Sequence, residues 1–213
     1  FGNSVTTAEH AITMMMSLAR QIPEADKSTK SSLWEKSRFM GVELTGKTLG
    51  VIGCGNIGTI VIDRAKGLRM KVLGYDPFLT DERAESMGID KVELDQLFKN
   101  SDFITIHTPL TEKTKNIIND KSISLMKDSV RIINCARGGL IDESALLKAL
   151  QDKKIAGAAI DVYMEEPAKN NPLFDFENVI CTPHLGASTV EAQEKVAIQI
   201  AEQMSDFLLT GAI

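Results

Sequence analysis

The sequence predicts an α/β fold in which helices cover both faces of a doubly wound parallel sheet. Three observations indicate this fold. Short apolar runs alternate with helical patterns along most of the 213 residues. The apolar run at residues 49–52 leads into the turn Gly-x-Gly-x-x-Gly, which begins at Gly53. A second apolar run, at residues 71–75, is followed by Asp76, an acidic residue 23 positions after Gly53.

The composition limits the class of protein. With 43% hydrophobic residues the chain has enough apolar side chains for a sizeable core, and its net charge of −5 argues against a nucleic-acid or anionic-membrane partner. No apolar run reaches membrane-spanning length, and no signal-peptide pattern opens the chain. The cysteines Cys54, Cys135 and Cys181 are widely spaced, which predicts a reduced, cytoplasmic protein without disulfides or a metal site. The start at Phe1 rather than Met suggests a segment of a longer chain.

The first predicted helix covers residues 4–22. Thr6 and Glu9 match a capping box, and Pro23 ends the run. The many methionines of this helix are expected in the core or in a subunit interface. The sequence offers His10 no chemical partner nearby, so we interpret this histidine as structural.

Residues 24–46 are polar and are expected to form a connector that is helical around residues 27–36. Trp34 is the only tryptophan of the chain and is expected to anchor the connector against the body of the protein.

The glycine turn predicts a dinucleotide site. Gly53 permits the tight turn, Gly55 lets the backbone approach a pyrophosphate, and Gly58 lets the following helix pack on the strand. Backbone N–H groups at the start of that helix then face the phosphates, and Asp76 stands where a carboxylate accepts hydrogen bonds from a ribose. The alternative is a tight strand-to-helix turn with Asp76 as an ordinary polar residue at a strand end.

The rest of the chain continues the alternation. Strands are expected at residues 102–106, 129–134, 155–160 and 178–181, with a short strand near residues 91–92. Helices are expected at residues 81–87 and 94–99, from the cap Asp142 to about residue 152, and after a second capping box formed by Ser188 and Glu191.

Several polar side chains follow the predicted strands, where open parallel sheets bind their ligands. Arg137 follows a buried strand and suits a bidentate contact with a substrate carboxylate, although a surface salt bridge is the alternative. Glu166 and His184 come from neighbouring strand ends and are able to touch, so that the imidazole exchanges a proton with a hydroxyl. The adjacent Glu165 is an equally good partner on sequence alone. His107 is either catalytic or shapes the ligand loop.

Other chemistries find no support in the sequence. There is no Gly-x-x-x-x-Gly-Lys-Ser/Thr phosphate loop, no Gly-x-Ser-x-Gly nucleophile elbow and no metal-ligand spacing. A cationic side chain, an acid/base histidine and a dinucleotide site are the set required for hydride transfer between an alcohol and a nicotinamide.

At these residues the sequence resembles the D-isomer-specific 2-hydroxyacid dehydrogenases, and the resemblance covers nearly all 213 residues. It is carried by the glycine turn and by seven further segments: residues 2–20, 39–44, 75–77, 107–110, 134–139, 161–167 and 182–188. The family implies a Rossmann-type NAD-binding domain at residues 47–187, with the arm and connector of residues 1–46 packed on it and a C-terminal helix over residues 188–213.

The resemblance also implies the roles of individual residues. Arg137 orients the substrate carboxylate and carbonyl, His184 is the acid/base, and Glu166, directly before Pro167, is its partner. The NAD contacts that the family implies come from Gly53, Gly55, Asn56, Ile57, Gly58, Asp76, Thr108, Cys135, Ala136, Arg137, Asp161, His184, Gly186 and Ala187. Many members carry Arg where this chain has Asn56, which removes a positive charge beside the pyrophosphate and leaves backbone donors. No Arg follows Asp76 directly, which favours NAD over NADP.

Within the family, the expected reaction is oxidation of 3-phosphoglycerate by NAD, the first step toward serine. The alternatives among enzymes share the same scaffold and are dehydrogenases of glyoxylate, hydroxypyruvate, phosphite and formate. The alternative that is not an enzyme is an NAD-sensing corepressor module. The substrate domain of the family has no counterpart in this sequence, so we expect the isolated chain to bind NAD with little turnover. We also expect a homodimer or homotetramer formed through the nucleotide-binding domain, with the apolar face of residues 8–22 in the interface.

Overall fold

A computed structural model describes residues 2–211, so Phe1 and the final two residues of the predicted C-terminal helix segment lie outside the described part. The strands are β1 Thr48–Ile52, β2 Lys71–Tyr75, β3 Asp90–Lys91, β4 Phe103–Ile106, β5 Arg131–Asn134, β6 Gly157–Ile160 and β7 Val179–Cys181. The helices are α1 Ser4–Arg20, α2 Ile22–Lys30, α3 Asn56–Gly67, α4 Asp81–Met87, α5 Leu94–Asn100, α6 Asp120–Leu125, α7 Glu143–Gln151 and α8 Val190–Thr210. A short 3₁₀ helix spans Pro172–Asp175.

The seven strands form one sheet in the order β3-β2-β1-β4-β5-β6-β7, and every pair is parallel. The predicted doubly wound fold is therefore confirmed. The strand order reverses between β1 and β4, which opens a crevice at their carboxyl ends. Ile52 pairs with both Tyr75 and Ile106, and Ile106 pairs with Asn134, so these strands end level with one another. This register places the segments that follow them in one row.

The core has one layer on each face of the sheet. Successive strand residues point to opposite faces: Val51 packs into the layer built with α1 and α3, whereas Ile52 packs into the layer built with α5, α6 and α7. Arg131 stacks on the Phe103 ring at 5.6 Å. No helix within residues 2–211 has the length and apolar character needed to cross a membrane.

Two of the predicted helix caps are wrong. The N-cap of α1 is Asn3, without a side-chain cap bond, and Thr6 instead lies 3.3 Å from the Thr189 hydroxyl. The N-cap of α8 is Thr189, one residue later than predicted, and its hydroxyl accepts from the amide of Ala192. The predicted Asp142 cap is confirmed, since its carboxylate accepts from the first turn of α7.

The connector also differs from expectation. The chain turns at Gln21, which has φ 53°, and Pro23 lies in the first turn of α2 rather than after the end of a helix. Trp34 is 86% exposed, so it does not anchor the connector in this chain.

The apolar face of α1 is covered by the chain itself. Met14 and Met15 are buried in the layer that α1 shares with α3 and the sheet. The burial of Met14 and Met15 confirms the core position expected for them, whereas Met16 is 44% exposed and the subunit interface stays a prediction. By contrast, α8 carries exposed apolar side chains, with Met204 at 60% and Phe207 at 51%.

Candidate active site

The glycine turn has the geometry that the sequence predicts, and the space around the Cα atom differs among its three glycines. Gly53 has φ +95°, and a Cβ there would lie 2.4 Å from the carbonyl oxygen of His107. A Cβ on Gly58 would lie 2.0 Å from the carbonyl oxygen of Gly53, so only glycine lets α3 pack this closely on β1. A Cβ on Gly55 would meet no atom within 4 Å. The turn is therefore tight at its ends and open at its centre.

The open centre suits the phosphates of a dinucleotide. Gly55 is the N-cap of α3, and no side chain caps this helix, so the amide groups of its first turn, which begins with Asn56 and Ile57, face outward as donors. Asp76 follows β2 and holds the turn: one carboxylate oxygen accepts from the Cys54 amide at 2.9 Å and the other from the Phe78 amide at 2.8 Å. A carboxylate has about four acceptor sites, so it retains capacity for ribose hydroxyls. The residues present fit an NAD-type cofactor.

Arg83 is a residue of this region that the sequence analysis missed. It lies on α4, and its guanidinium donates to the carbonyl oxygen of Cys54 at 3.1 Å and to the hydroxyl of Thr59 at 3.4 Å. The sequence analysis considered only the residues directly after Asp76, and Arg83 lies seven positions further on. The signal was available in principle, because α4 follows Asp76 closely, but sequence spacing alone does not show where a long side chain reaches.

His107 follows β4 and is not arranged as an acid/base group. Its Nε2 lies 2.9 Å from the hydroxyl of Thr105, and within the described residues its buried Nδ1 has no hydrogen-bond partner. Burial lowers the pKa of His107 to about 4, so the ring is neutral at neutral pH. Its carbonyl packs against Gly53, which supports the loop-shaping alternative over the catalytic one.

A buried asparagine shapes the segment that carries Arg137. Asn134, the last residue of β5, donates to the carbonyl oxygen of Arg137 at 3.0 Å and accepts from the amide of Ala136 at 3.1 Å. Cys135 is buried between them, and burial raises the pKa of its thiol far above the ordinary value. Sequence reasoning did not single out Asn134; a polar residue closing an apolar strand was the available signal.

The Arg137 side chain is exposed and, among the described residues, donates only to the neighbouring Ala136 carbonyl oxygen. Within residues 2–211 it takes part in none of the ion pairs, so the salt-bridge alternative is not realised in this chain. Gly138 brings this segment against the next loop, since a Cβ there would lie 1.8 Å from the carbonyl oxygen of Tyr163.

Glu166 and His184 are in contact. The His184 Nδ1 lies 2.7 Å from Oε2 of Glu166, and the amide of Tyr163 donates to Oε1 at 3.0 Å. Burial alone would raise the pKa of Glu166, but these bonds outweigh it and lower the pKa. The contact chooses Glu166 rather than Glu165, which the sequence left open. With Nδ1 engaged, Nε2 is the ring nitrogen available to a ligand.

Asp161, directly after β6, is fully buried, and its carboxylate is occupied by the protein. Oδ1 accepts from the Thr182 hydroxyl at 2.6 Å and the Leu185 amide at 2.7 Å, and Oδ2 accepts from the Gly186 amide at 2.9 Å. Burial alone would raise the pKa of Asp161, but the bonds from His10 and the other donors lower it. His10 therefore does have a polar partner, contrary to the sequence-based interpretation. In this structure Asp161 shapes the loop beside it.

Predicted site residues that follow four strands, β1, β4, β5 and β7, line one cavity of about 310 Å³. Its lining includes Ile57, Thr108, Cys135, Ala136, Arg137, His184, Gly186 and Ala187. His184 also borders a second, more apolar cavity of about 640 Å³, whose walls include Tyr163, Phe174 and Cys181. The imidazole thus stands between the two cavities, with the guanidinium of Arg137 on the side of the glycine turn.

The fold and the glycine turn define a dinucleotide-binding domain. The model of the family described as D-isomer specific 2-hydroxyacid dehydrogenase, NAD binding domain, matches residues 12–186. The chain belongs to this family, and the resemblance inferred from the sequence is confirmed.

The relatives agree with this assignment. The chain is 53% identical over 208 residues to a D-3-phosphoglycerate dehydrogenase of Synechocystis sp., covering 98% of this chain and 38% of that protein. A D-3-phosphoglycerate dehydrogenase of Methanocaldococcus jannaschii is 52% identical, with 97% of this chain and 40% of that protein covered. The chain thus spans about 40% of the length of the curated relatives it matches.

Solved structures show the same fold. A glyoxylate reductase from Paecilomyes thermophila superposes with a TM-score of 0.93 at 31% identity, covering 100% of this chain and 65% of that one. A D-lactate dehydrogenase from Aquifex aeolicus, complexed with NAD and lactic acid, superposes with a TM-score of 0.88 at 33% identity, covering 95% and 66% of the two chains.

Proposed function

We propose that this chain is the NAD-binding part of an enzyme that oxidises D-3-phosphoglycerate to 3-phosphohydroxypyruvate, the first step of serine biosynthesis. The observation that carries the substrate is the 53% identity to a D-3-phosphoglycerate dehydrogenase over nearly the whole chain. The more distant structural relatives are named as a glyoxylate reductase and a D-lactate dehydrogenase, enzymes of other 2-oxo or 2-hydroxy acids. The Glu166–His184 contact beside Arg137 is consistent with this chemistry.

In the proposed mechanism each site residue has one task. The glycine turn would hold NAD, which would supply the hydride acceptor for the carbon that carries the hydroxyl group. Nε2 of His184 takes the hydroxyl proton, while Glu166 keeps the proton on Nδ1 and offsets the charge of the imidazolium. Arg137 binds the carboxylate of the substrate and so fixes the orientation of the reacting carbon.

The proposed cofactor contacts are those of the glycine turn and the adjoining strand ends. Gly53, Gly55, Asn56, Ile57 and Gly58 would hold the pyrophosphate through backbone donors, and Asp76 would hold the adenosine ribose. The remaining contacts come from Thr108, Cys135, Ala136, Arg137, Asp161, His184, Gly186 and Ala187. For Asp161, whose side chain is fully buried, the proposed contact requires the loop to move.

At the scale of the whole protein, we propose an NAD-binding core at residues 47–187, an arm and connector at residues 1–46, and a C-terminal helix at residues 188–213. The substrate domain belongs to the rest of the longer protein. We further propose that the protein is cytoplasmic and forms a homodimer or homotetramer through the nucleotide-binding domain. The apolar side chains exposed on the connector, Leu33 at 50% and Met40 at 80%, support such an assembly.

The first test is the reaction itself, in the full-length protein that contains this chain. Purified protein with NAD and D-3-phosphoglycerate should produce NADH, and glyoxylate or hydroxypyruvate with NADH should react far more slowly. His184→Ala should lower kcat by about 10²- to 10⁴-fold, the range typical of a lost acid/base group. A near-normal rate in that variant would remove His184 from its role, and a preference for glyoxylate would replace the proposed substrate.

Binding by this chain separates the cofactor site from the reaction. Calorimetric titration of the 213-residue chain with NADH should show one site per chain. A folded chain that binds no NADH would contradict the cofactor proposal independently of the substrate.

A further inference from the structure

The loop that presents His184 is held by a polar network that reaches across to α1. Thr182 and Asp161 follow two adjacent strands, and His10 lies on α1, far away in sequence. The His10 Nε2 lies 3.3 Å from the Thr182 hydroxyl and 3.3 Å from Oδ1 of Asp161. The His10 side chain is 17% exposed and that of Asp161 is fully buried.

The hydrogen-bond directions in this network are determined by the proton count. Asp161 is an acceptor, since its pKa is lowered. The Thr182 hydroxyl has one proton, and the short 2.6 Å contact with Oδ1 of Asp161 uses it. Toward His10 the hydroxyl is therefore an acceptor, so Nε2 of His10 carries a proton and donates. His10 acts on Asp161 both directly and through Thr182.

Asp161 in turn organises the backbone around the proposed acid/base residue. The amide of His184 donates to the Asp161 carbonyl oxygen at 3.0 Å, and the next two amides, of Leu185 and Gly186, donate to its carboxylate. His184 has φ +56°, a left-handed conformation that is strained for a residue with a side chain and persists only where its surroundings enforce it. Three consecutive amides bound to one buried residue supply that constraint.

We propose that His10 is a positioning residue for His184, acting through Thr182 and Asp161. The proposal rests on the proposed function, since it assigns His10 to the same site. Loss of the His10 donor leaves the buried Asp161 carboxylate short of one partner and the hydroxyl of Thr182 without its donor. The loop then holds the His184 ring less firmly against Glu166. Displacement of a catalytic group by about 1 Å lowers the rate of a reaction about a hundredfold.

A metal site at the same place has less support. The donor atoms of His10, Cys135 and Asp161 lie within 4.8 Å of one another. However, the Asp161 carboxylate already accepts from four protein groups, and burial keeps the Cys135 thiol protonated by raising its pKa. Both would have to change before a cation could bind.

The test compares two substitutions at the same position in the full-length protein. In His10→Gln the side-chain amide is able to place a donor near the position of Nε2, whereas His10→Leu has similar bulk and no donor. We expect His10→Leu to lower kcat about ten- to hundredfold with a much smaller change in KM, and His10→Gln to recover most of the rate. Glu9→Gln, an exposed neighbour on α1, is the control and should behave as the unmodified protein does.

A second measurement does not depend on turnover. The chain has three histidines, so the imidazole NMR signals of His184 are assignable in this chain by comparison with His184→Ala. They should shift in His10→Leu and return in His10→Gln. This readout tests the network even if the full-length protein proves inactive on D-3-phosphoglycerate, an outcome that would overturn the proposed function alone.

Two results would overturn the positioning role. One is a native kcat together with unchanged His184 signals in His10→Leu. The other is a kcat that falls equally in His10→Gln and His10→Leu. If His10→Leu fails to fold, the pair Thr182→Val and Thr182→Ser replaces it. The Val variant should lower kcat and shift the His184 signals, and the Ser variant, which keeps the hydroxyl, should restore both; equal behaviour of the two would contradict the proposal.

Discussion

Asp76 has two tasks at once, because its carboxylate holds the glycine turn through two backbone amides and also stands at the proposed ribose site. A negative charge there repels a 2′-phosphate, so it favours NAD over NADP. Asp76→Asn removes the charge and keeps one acceptor oxygen. We expect NADH affinity to fall about tenfold while NADPH affinity changes little or rises, so that the preference for NADH narrows in calorimetric titrations of this chain.

Arg83 supplies the matched control for that prediction. Its guanidinium contacts the turn from α4, so Arg83→Gln tests whether this cation attracts the cofactor phosphates. Suppose that the preference for NADH over NADPH is unchanged in Asp76→Asn and altered only in Arg83→Gln. The choice of cofactor then depends on the guanidinium of Arg83, and the role given to the Asp76 carboxylate is wrong.

His107 makes stability depend on pH. Its pKa is lowered to about 4 by burial, below the ordinary value of about 6.5. Between these values the unfolded chain binds a proton that the folded chain does not, so stability falls as the pH falls from about 6.5 to about 4. The full effect is up to about 3 kcal/mol. Urea unfolding at pH 7 and pH 5 should show that the free energy of unfolding falls less in His107→Gln than in the unmodified chain. An equal fall in both would contradict the role given to the His107 imidazole.

At the residue scale, the sequence revealed side chains that follow strands and missed those that support them. Arg137, Glu166 and His184 were visible because parallel strands deliver their carboxyl ends to one edge of the sheet. His10 was not, since its partner Asp161 comes from a distant part of the chain and no local pattern links them. The choice between Glu165 and Glu166 likewise required the loop conformation.

At the scale of elements, strands and helices were predictable because their apolar periodicity reflects the burial that forms them. Helix N-caps were harder to predict than the helices themselves. Ser188 and Thr189 are both good N-cap residues, and the structure uses Thr189. Helix α6, whose N-cap is Asn119, was not predicted. Its short length leaves too few residues for a periodic pattern.

The close approach of two loops gives a prediction at this scale. Gly138 brings the Arg137 loop against the Tyr163 carbonyl oxygen, which a Cβ would meet at 1.8 Å. Gly138→Ala must therefore push the loops apart, and we expect it to destabilise the chain by about 2 kcal/mol or more and to lower kcat of the full-length protein. Gly67→Ala is the control, because a Cβ there meets nothing within 4 Å and alanine favours helix. Thermal unfolding should show a lower Tm for the first and an unchanged or higher Tm for the second.

At the scale of the whole molecule, a periodic apolar face shows that a helix side is buried and does not show what buries it. The faces of α1 and α8 have similar patterns in sequence. In the structure the chain's own core covers Met14 and Met15 of α1, whereas Met204 and Phe207 of α8 remain exposed. The apolar periodicity of a helix therefore did not distinguish a core face from an exposed one.

The proposed homodimer must therefore use surfaces that the chain leaves uncovered, and the connector is the candidate, with Trp34 at 86% and Met40 at 80% exposure. Large apolar side chains of this kind are enriched at interfaces. Trp34→Ser with Met40→Ser should weaken association by about 2 kcal/mol or more, roughly thirtyfold in Kd. Sedimentation velocity over a concentration series should show the shift toward monomer.

The control is Phe78→Ser, which removes an equally exposed side chain, at 87%, next to the proposed ribose site. This variant should leave the distribution of monomer and oligomer unchanged. If Phe78→Ser dissociates the assembly and the double variant of Trp34 and Met40 does not, the interface lies at the edge of the glycine turn, where cofactor binding and assembly compete for one surface.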